Sequence, residues 1–359
     1  MSESDAPVVY FYPHAYLRDR QLDVVRAWPR GRALNPEIAD RAGAQVSREK
    51  ATGRGVRGRG LLGRLPLPNI KRRPPGLPSE VAVYVWGGVM ATGRFVTDLD
   101  NPYALVGYKL DAMPLWRWPL GAMLASARCR EIRCLSRACR AGLLELFGER
   151  LAAKARVHYP RMAPQVDAPS VTGAPRFVFI GTQFEIKGGA ALLRAWPAVR
   201  NTLPGATLDI VTHLPDGYAV PEGATVHAAR FSRDEIWQRF LARADVLVHP
   251  TYVESFGMVV LEAMAHGLAV VATDVYALGE MVGPDNGALL RPPLSIWDGV
   301  RPAALYHQLE RAAEVARAAD TSAFERALAE AMIAIGRDPA RLLASKRGSL
   351  VRVARDFAG

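Results

Sequence analysis

Two glutamates in the second half of the chain have the spacing and surroundings of a ligand site. Glu254 precedes Gly257, and Glu262 lies about a turn and a half inside the helix predicted to begin after that glycine. Backbone N–H groups at a helix start can cradle a pyrophosphate, and a carboxylate accepts hydrogen bonds from vicinal hydroxyls. Two carboxylates around an anion-binding helix end therefore suit a nucleotide sugar. Glu262 also lies in a largely apolar run, 258–264, where an unpaired charge is expensive.

A glycine-rich segment with one lysine, 181–189, follows a predicted strand at 177–180. Its glycines permit close approach of a ligand to the backbone, and Lys187, just before a predicted helix start, would neutralise a phosphate. The segment is not a Walker A loop, because the spacing and the Lys-Ser/Thr pair are absent. Taken alone, such a segment is more often a surface turn.

The elements that must position these residues form two successive α/β series, which is typical of parallel sheets. The predicted strands are 8–12, 81–86, 94–100, 131–135, 177–180, 207–211, 245–249 and 268–272. The predicted helices are 119–130, 137–147, 189–199, 235–242, 258–266, 302–318, 322–335 and 339–357. The Pro- and Gly-containing stretch 160–175 between the two series predicts a linker.

The predicted fold class is α/β, with two facing Rossmann-like domains that have parallel sheets and a cleft between them. The predicted domains are an acceptor-side domain at 1–165, a donor-binding domain at 166–338, and a last helix at 339–359 that packs back on the first domain. A basic segment at about 45–76, rich in Gly, Pro and Arg, predicts a mobile loop inside the first domain.

Charge and cysteines narrow the classes of partner. Residues 1–160 carry 26 Lys+Arg and 14 Asp+Glu, a net +12, whereas the remaining residues carry 20 and 21, a net −1. The first half therefore suits an anionic partner, although a merely solvated basic surface is an equal alternative.

Cys129, Cys134 and Cys139 have the wrong spacing for a zinc pair and are predicted to be buried free thiols. No secretory signal or membrane span is visible, so a cytoplasmic location is expected, free or on the inner membrane face.

These motifs together resemble glycosyltransferase family 4, a retaining family of GT-B fold. Seven residues separate Glu254 from Glu262, as in the E-x7-E motif of that family, and the segment around Lys187 resembles its phosphate-binding Gly-Lys-Gly segment. The resemblance continues through 244–250, 269–275, 280–282 and 286–290, in the family's order, and so covers about 176–292.

The resemblance implies a role for each matching residue. Lys187 would contact the pyrophosphate, Glu262 would bind the ribose hydroxyls, and Glu254 would face the donor sugar and steady positive charge at the anomeric carbon. The predicted donor-binding residues are Gly181, Thr182, Lys187, Gly188, Phe256, Gly257, Met258, Val259 and Glu262. No metal or other cofactor is expected, since the UDP- or GDP-sugar is itself the substrate.

The chain departs from the family pattern in three places. Thr182 stands where the family usually has Arg, so one phosphate contact would come from elsewhere, such as an Arg of the first domain. Residues 13–16 replace a glycine-rich loop. The family often has a His facing the sugar at the end of a central strand of the first domain. Here that place falls in 98–101, so that Asp100 joins Glu254 and Lys187 as a predicted catalytic residue, with His14 as an alternative.

Other functions remain open at this stage. Asp98 and Asp100 form a D-x-D pair, the metal-binding motif of the rival GT-A fold, which the linker and the glutamate pair disfavour. A non-catalytic protein that binds sugar nucleotides or polysaccharide is compatible with Thr182. An epimerase of GT-B fold is disfavoured by the glutamate spacing.

The acceptor is expected to be a glycan or a lipid-linked sugar. Trp116, Arg117 and Trp118 lie in an apolar stretch, a composition that suits an interfacial surface, so docking on an anionic membrane is a hypothesis. Core tryptophans with solvated arginines are an equal alternative. Nucleic acid is not expected as a partner, because aromatic residues are not interleaved along a continuous basic strip.

Overall fold

The structure is a computed structural model that describes residues 7–13, 17–40, 65–294, 296–303 and 309–358. The chain divides into two compact units, Met1–Pro160 and Arg161–Gly359. The division falls at the start of the predicted linker. Residues 161–175 are held to the second unit, where the Met162 amide donates to the Phe357 carbonyl and the Gln165 amide donates to the Ala265 carbonyl.

The first unit contains a five-stranded parallel sheet of order β1-β3-β5-β6-β7 and a separate pair, β2 and β4. Its strands are β1 (Val9–Phe11), β2 (Ile70–Lys71), β3 (Ala82–Trp86), β4 (Val89–Met90), β5 (Phe95–Leu99), β6 (Cys129–Cys134) and β7 (Ala155–Val157). Its α-helices are α1 (Asp19–Arg26), α2 (Ala112–Ala125) and α3 (Arg137–Phe147), and short 3-10 helices span Pro102–Val106 and Glu149–Leu151.

The core of the first unit follows the alternation of side chains along β3, since successive residues of a strand face opposite sides of a sheet. Tyr84 and Trp86 lie in a cluster with Leu22 of α1, whereas Val83 and Val85 lie in a second cluster. Residues of α2 and α3 complete that second cluster. The three cysteines are buried free thiols, as predicted.

The second unit contains a six-stranded parallel sheet of order β10-β9-β8-β11-β12-β13. Its strands are β8 (Arg176–Ile180), β9 (Thr207–Thr212), β10 (Ala224–Ala228), β11 (Val246–His249), β12 (Ala269–Thr273) and β13 (Gly287–Leu290), with a small antiparallel pair, β14 (Trp297–Asp298) and β15 (Arg301–Pro302). Its α-helices are α4 (Gly189–Thr202), α5 (Arg233–Ile236), α6 (Met258–Ala265), α7 (Leu309–Ala318), α8 (Ser322–Gly336) and α9 (Pro339–Asp356). A π-helical turn, Trp237–Leu241, follows α5.

The strand order of the second sheet reverses at β8. From β8 the chain proceeds outward through β9 to β10, then returns to place β11 on the other side of β8 and continues through β12 to β13. In open parallel sheets, ligands bind beyond the carboxyl ends of the strands at this kind of switch point. The loops after β8 and β11 therefore flank the expected binding position.

Several sequence predictions differ from the structure in detail. The helix predicted at 119–130 begins at Ala112 and ends at Ala125, and strand β6 starts at Cys129. Pro114 falls in the first turn, where its missing N–H costs nothing, and Pro119 is accommodated inside the helix. Most of the loop predicted at 45–76 lies outside the described residues, but its end contains β2, paired with β4. In the part of the chain that is described, no helix is long and apolar enough to cross a membrane.

Helix α9 is attached to the second unit by a buried ion pair. The Lys346 ammonium lies 2.7 Å from Oδ1 of Asp245, just before β11, and both side chains are almost fully enclosed. Asp245 also accepts a hydrogen bond from the Arg176 amide. The helix packs on α6, α8 and β12. The predicted packing of this helix on the first domain stays a prediction.

Replacing Lys346 by Met should lower the free energy of unfolding by about 3 kcal/mol, because the carboxylate of Asp245 would stay buried without its main counter-charge. The measurement is the urea midpoint followed by circular dichroism. The matched control is Arg355→Met on the same helix, whose exposed pair with Asp356 should contribute nothing measurable. Equal midpoints for the two variants would contradict this account of α9.

Candidate functional site

The loops after β8 and β11 are fastened to each other at the switch point. The Tyr252 amide donates to the Ile186 carbonyl over 2.9 Å. Gly188 has a φ of +76°, and a Cβ at this position would lie 2.0 Å from the carbonyl oxygen of Pro250. Only glycine fits there. The contact places Lys187, one residue earlier, beside the segment that carries Glu254.

Lys187 and Glu254, both predicted from the sequence, form an ion pair. The Lys187 Nζ donates to Oε2 of Glu254 over 2.9 Å and to the carbonyl oxygen of Val253 over 2.7 Å. Both side chains are mostly enclosed, with 18% and 16% of their surface exposed. Limited water leaves the pair less screened than one on an open surface.

His249, the last residue of β11, is a site residue that the sequence analysis missed. Its Nε2 lies 3.2 Å from Oε2 of Glu254, and the ring is buried. Because an ionised carboxylate only accepts hydrogen bonds, Nε2 carries the proton of this bond. Burial lowers the pKa of His249, and the bond to Glu254 only partly offsets this effect. The sequence feature that could have identified His249 is its position, as a polar residue at the carboxyl end of a central strand.

The carboxyl of Glu254 is held in its ionised form. Burial alone would raise its pKa, but the charge of Lys187 and the hydrogen bond from His249 outweigh burial and hold the pKa well below the usual range. The amide of Ser255 also donates to Oε1 over 3.1 Å. Glu254 is thus a fixed negative charge and not a proton donor at neutral pH.

The backbone at Glu254 is tied to a distant segment. The indole N–H of Trp297, at the start of β14, donates to the Glu254 carbonyl oxygen over 3.0 Å. Trp297 stacks on Tyr276, with ring centroids 3.9 Å apart and planes 17° apart. The backbone of Tyr276 has a φ of +51°, uncommon outside glycine. The sequence does not predict this pair, since no local pattern connects Trp297 to the loop.

Glu262 is bound by a cation that the sequence analysis also missed. The Nε of Arg233, the first residue of α5, donates to Oε1 of Glu262 over 2.7 Å. The guanidinium lies over the ring of Trp237 at 4.7 Å. Glu262 is buried in α6, so this bond meets the expectation that a charge in an apolar helix face is paired.

Gly257 lies directly before α6, and ligand contacts by the first amides of this helix stay a prediction. Gly257 has a φ of +92°, and a Cβ there would lie 2.6 Å from Cδ2 of Leu278. Met258 and Val259 are the first residues of the helix. The N–H groups of the first turn have no acceptor within a helix and point out of its N-terminal end. The side chain of Phe256 is 2% exposed and belongs to the core, so only its backbone could meet a ligand.

The segment after β8 gives its residues different surroundings. The Gly181 amide donates to the Val211 carbonyl, and its own carbonyl accepts from the Thr212 hydroxyl. A Cβ at Gly181 would lie 3.2 Å from the Lys187 side chain, so this glycine leaves room for the lysine. Thr182 is exposed. Binding of a ligand by Gly181 or Thr182 stays a prediction.

Asp100 lies in the first unit, directly after β5. Its carboxylate accepts from the Tyr108 hydroxyl over 2.8 Å and from the Asn101 amide over 2.8 Å. Its neighbour in the D-x-D pair, Asp98, is buried and paired with Arg20 at 2.8 Å. Asp98 is thus committed to an ion pair. Among the described residues, no group of three or more His, Cys, Asp or Glu side chains could hold a metal ion. His14 lies outside the described residues.

Gly188→Ala should destabilise the chain far more than Gly217→Ala. Both glycines have a left-handed φ, so each substitution carries a strain of roughly 1–2 kcal/mol. Only position 188 adds a clash with Pro250, since a Cβ at Gly217 meets nothing within 4 Å. Thermal unfolding measures the difference, and equal losses would show that the two loops are not held as described.

Residues 174–313 match the family model described as Glycosyl transferases group 1. Over 118 residues the chain is 34% identical to glycogen synthase of Mycobacterium tuberculosis (strain ATCC 25618 / H37Rv), covering 31% of this chain and 28% of that protein. Over another 118-residue match it is 37% identical to phosphatidyl-myo-inositol mannosyltransferase of Propionibacterium freudenreichii subsp. shermanii, covering 32% and 29%. The chain spans less than a third of the length of these curated relatives.

A solved structure of Anabaena HepE in complex with UDP is similar over nearly the whole chain. The TM-score is 0.60 at 13% identity, with 98% of this chain and 96% of that chain covered. At this identity the likeness concerns the fold. The predicted fold class of two Rossmann-like α/β domains with parallel sheets is confirmed. The chain has the GT-B fold, and the match to the family model Glycosyl transferases group 1 lies within its second unit.

Proposed function

We propose that the chain is a retaining glycosyltransferase that moves a sugar from a UDP- or GDP-sugar to an acceptor hydroxyl, in polysaccharide or glycolipid synthesis. The observation that supports this most is the set of Lys187, Glu254 and His249 at the switch point of the second sheet. A fixed cation, a fixed carboxylate and a helix start in one place suit a substrate that separates charge as it reacts.

Lys187 can serve the carboxylate and a diphosphate together. An ammonium has three N–H donors. Two of them are used within the described residues, on Glu254 and on the Val253 carbonyl. The third donor suits a diphosphate oxygen. Lys187 would then lie between two anions, so that Glu254 does not repel the incoming donor, and it would stabilise charge on the departing diphosphate.

Glu254 would act on the sugar side of the bond that breaks. Glycosyl transfer passes through an oxocarbenium-like state with positive charge at the anomeric carbon. A carboxylate whose pKa is held low stays negative through the reaction and stabilises that charge. The start of α6, with Gly257 before it, would hold the phosphates through the first amides of the helix.

Glu262 would bind the ribose while it remains paired with Arg233. A carboxylate offers about four acceptor positions, so Glu262 can accept from ribose hydroxyls as well as from the guanidinium. The structure of HepE, which has a similar fold, is a complex with UDP, so UDP is the first nucleotide to test with this chain. Asp100 would act on the acceptor side, and the acceptor would be a glycan or a lipid-linked sugar.

Glu254→Gln should greatly reduce the rate of transfer and keep nucleotide binding. A thermal-shift screen of UDP, GDP, ADP and their sugars first identifies the donor, because a ligand at a hundredfold its Kd stabilises by about 2.7 kcal/mol. With that donor, kcat should fall by about 100-fold or more, as when a transition-state charge partner is lost. The matched control is Glu222→Gln, whose side chain is exposed.

Two results bear on the alternatives. Unchanged turnover in Glu254→Gln would remove Glu254 from the chemistry. Nucleotide-sugar binding without transfer or hydrolysis in the unchanged protein would favour a non-catalytic binding protein instead. The anomeric configuration of the product, read by NMR, tests retention directly, and inversion would overturn it.

His249 should act as a positioning residue for Glu254. His249→Leu removes the Nε2–H donor, so kcat should fall by about tenfold with little change in KM, whereas His249→Gln keeps an N–H donor and should retain more activity. Loss of that bond should raise the pKa of Glu254 toward its usual range, so the acid limb of the kcat profile should move to higher pH. An acid limb that stays in place would show that the histidine only packs.

A further inference from the structure

Helix α2 of the first unit exposes two large apolar side chains. Leu115 is 66% exposed and Trp118 is 72% exposed, the largest values among the large hydrophobic residues that the structure describes. The helix contains no acidic residue, and Arg117 is its single charge. A surface helix normally turns polar residues to water, so this face lacks the composition expected for contact with solvent alone.

A second segment of the chain lies beside α2 and also exposes apolar side chains. The indole N–H of Trp116, on α2, donates to the Pro66 carbonyl over 2.7 Å, and the Lys109 ammonium donates to the Leu65 carbonyl. Leu65 and Leu67, on either side of Pro66, are each about half exposed. We call Leu65, Leu67, Leu115 and Trp118 the Leu–Trp surface.

The Leu–Trp surface is accompanied by positive charge. The guanidinium of Arg117 lies 5.9 Å from the centroid of the Trp118 ring, and its Nε donates to the Leu146 carbonyl. Arg150 reaches the same helix, where one of its guanidinium nitrogens lies 2.7 Å from the position a Cβ would take on Gly121.

We propose that the Leu–Trp surface docks the first unit on an anionic lipid bilayer. Leu115 and Trp118 would enter the boundary between headgroups and acyl chains, which favours Trp and buries apolar area. Arg117 and Lys109 would contact lipid phosphates, and basic residues near the membrane add attraction to an anionic leaflet. The proposal does not depend on the transferase function.

The charge distinguishes a bilayer from a second copy of the chain. A two-fold dimer would place the same surface on itself, so the basic residues around it would face their own copies and repel. An anionic bilayer instead supplies the opposite charge over a broad area. The net +12 of residues 1–160 has the sign that this partner needs.

Vesicle co-sedimentation of the full chain tests the proposal. The probes are vesicles of phosphatidylcholine alone and vesicles with a large share of phosphatidylglycerol. The unchanged protein should sediment with the anionic vesicles, less so as salt is raised, and little with the neutral ones. The double variant L115S/W118S should lose about tenfold in affinity, since both side chains would no longer be buried. The matched control is Val351→Ser on α9, a 64% exposed apolar residue of the second unit, which should bind as the unchanged protein does.

Three outcomes would overturn the proposal. The first is equal recovery of the unchanged protein with neutral and anionic vesicles. The second is recovery of L115S/W118S equal to that of the unchanged protein. The third is a dimer, seen by sedimentation velocity, that L115S/W118S dissociates, because the surface would then belong to a second copy. Since both replaced side chains are exposed, thermal unfolding of the double variant should match the unchanged protein and exclude a folding defect.

Discussion

The contact between Gly188 and the carbonyl of Pro250 is the constraint on which the proposed donor site depends. It brings the loop after β8 against the loop after β11 at a distance that no side chain permits. Lys187 reaches Glu254 because of this approach, and Lys187 in turn keeps the glutamate ionised. Gly188 therefore affects the charge state of Glu254 through Lys187, although Gly188 has no polar side chain of its own.

In the proposed site, the ion pair between Lys187 and Glu254 would resolve a conflict that any nucleotide-sugar site contains. A carboxylate that stabilises positive charge on the sugar must lie near a diphosphate that carries negative charge. At about 4 Å and an effective dielectric of about 20, two like charges repel by about 4 kcal/mol. A lysine that lies between the two anions would attract both of them and so offset that repulsion. His249 adds a hydrogen bond to Glu254 without adding a charge, because burial lowers the pKa of its ring.

The sequence predicts the part of the site that local pattern specifies. Glu254, Lys187 and the two glycines at helix starts lie next to predicted strand ends, and parallel strands bring such ends together. Arg233 and Trp297 could not be predicted in this way, because they reach the glutamates across 29 and 43 residues of sequence. Pairing at that separation is decided by packing of the whole unit.

Helix α2 is a second place where packing of the whole unit, and not the local sequence pattern, decides the structure. The predicted helix starts at residue 119, yet the helix of the structure starts at Ala112 and contains Pro114 in its first turn and Pro119 inside it, while it buries Leu120 and Leu124. Burial of that inner face outweighs the backbone hydrogen bond that Pro119 removes, since each buried leucine contributes about 1.5–3 kcal/mol. Extending the helix back to Ala112 carries Leu115 and Trp118 onto its outer face, where that burial is not available. Leu115 and Trp118 therefore stay exposed to water, which is unfavourable for apolar side chains, and contact with a partner surface would bury them.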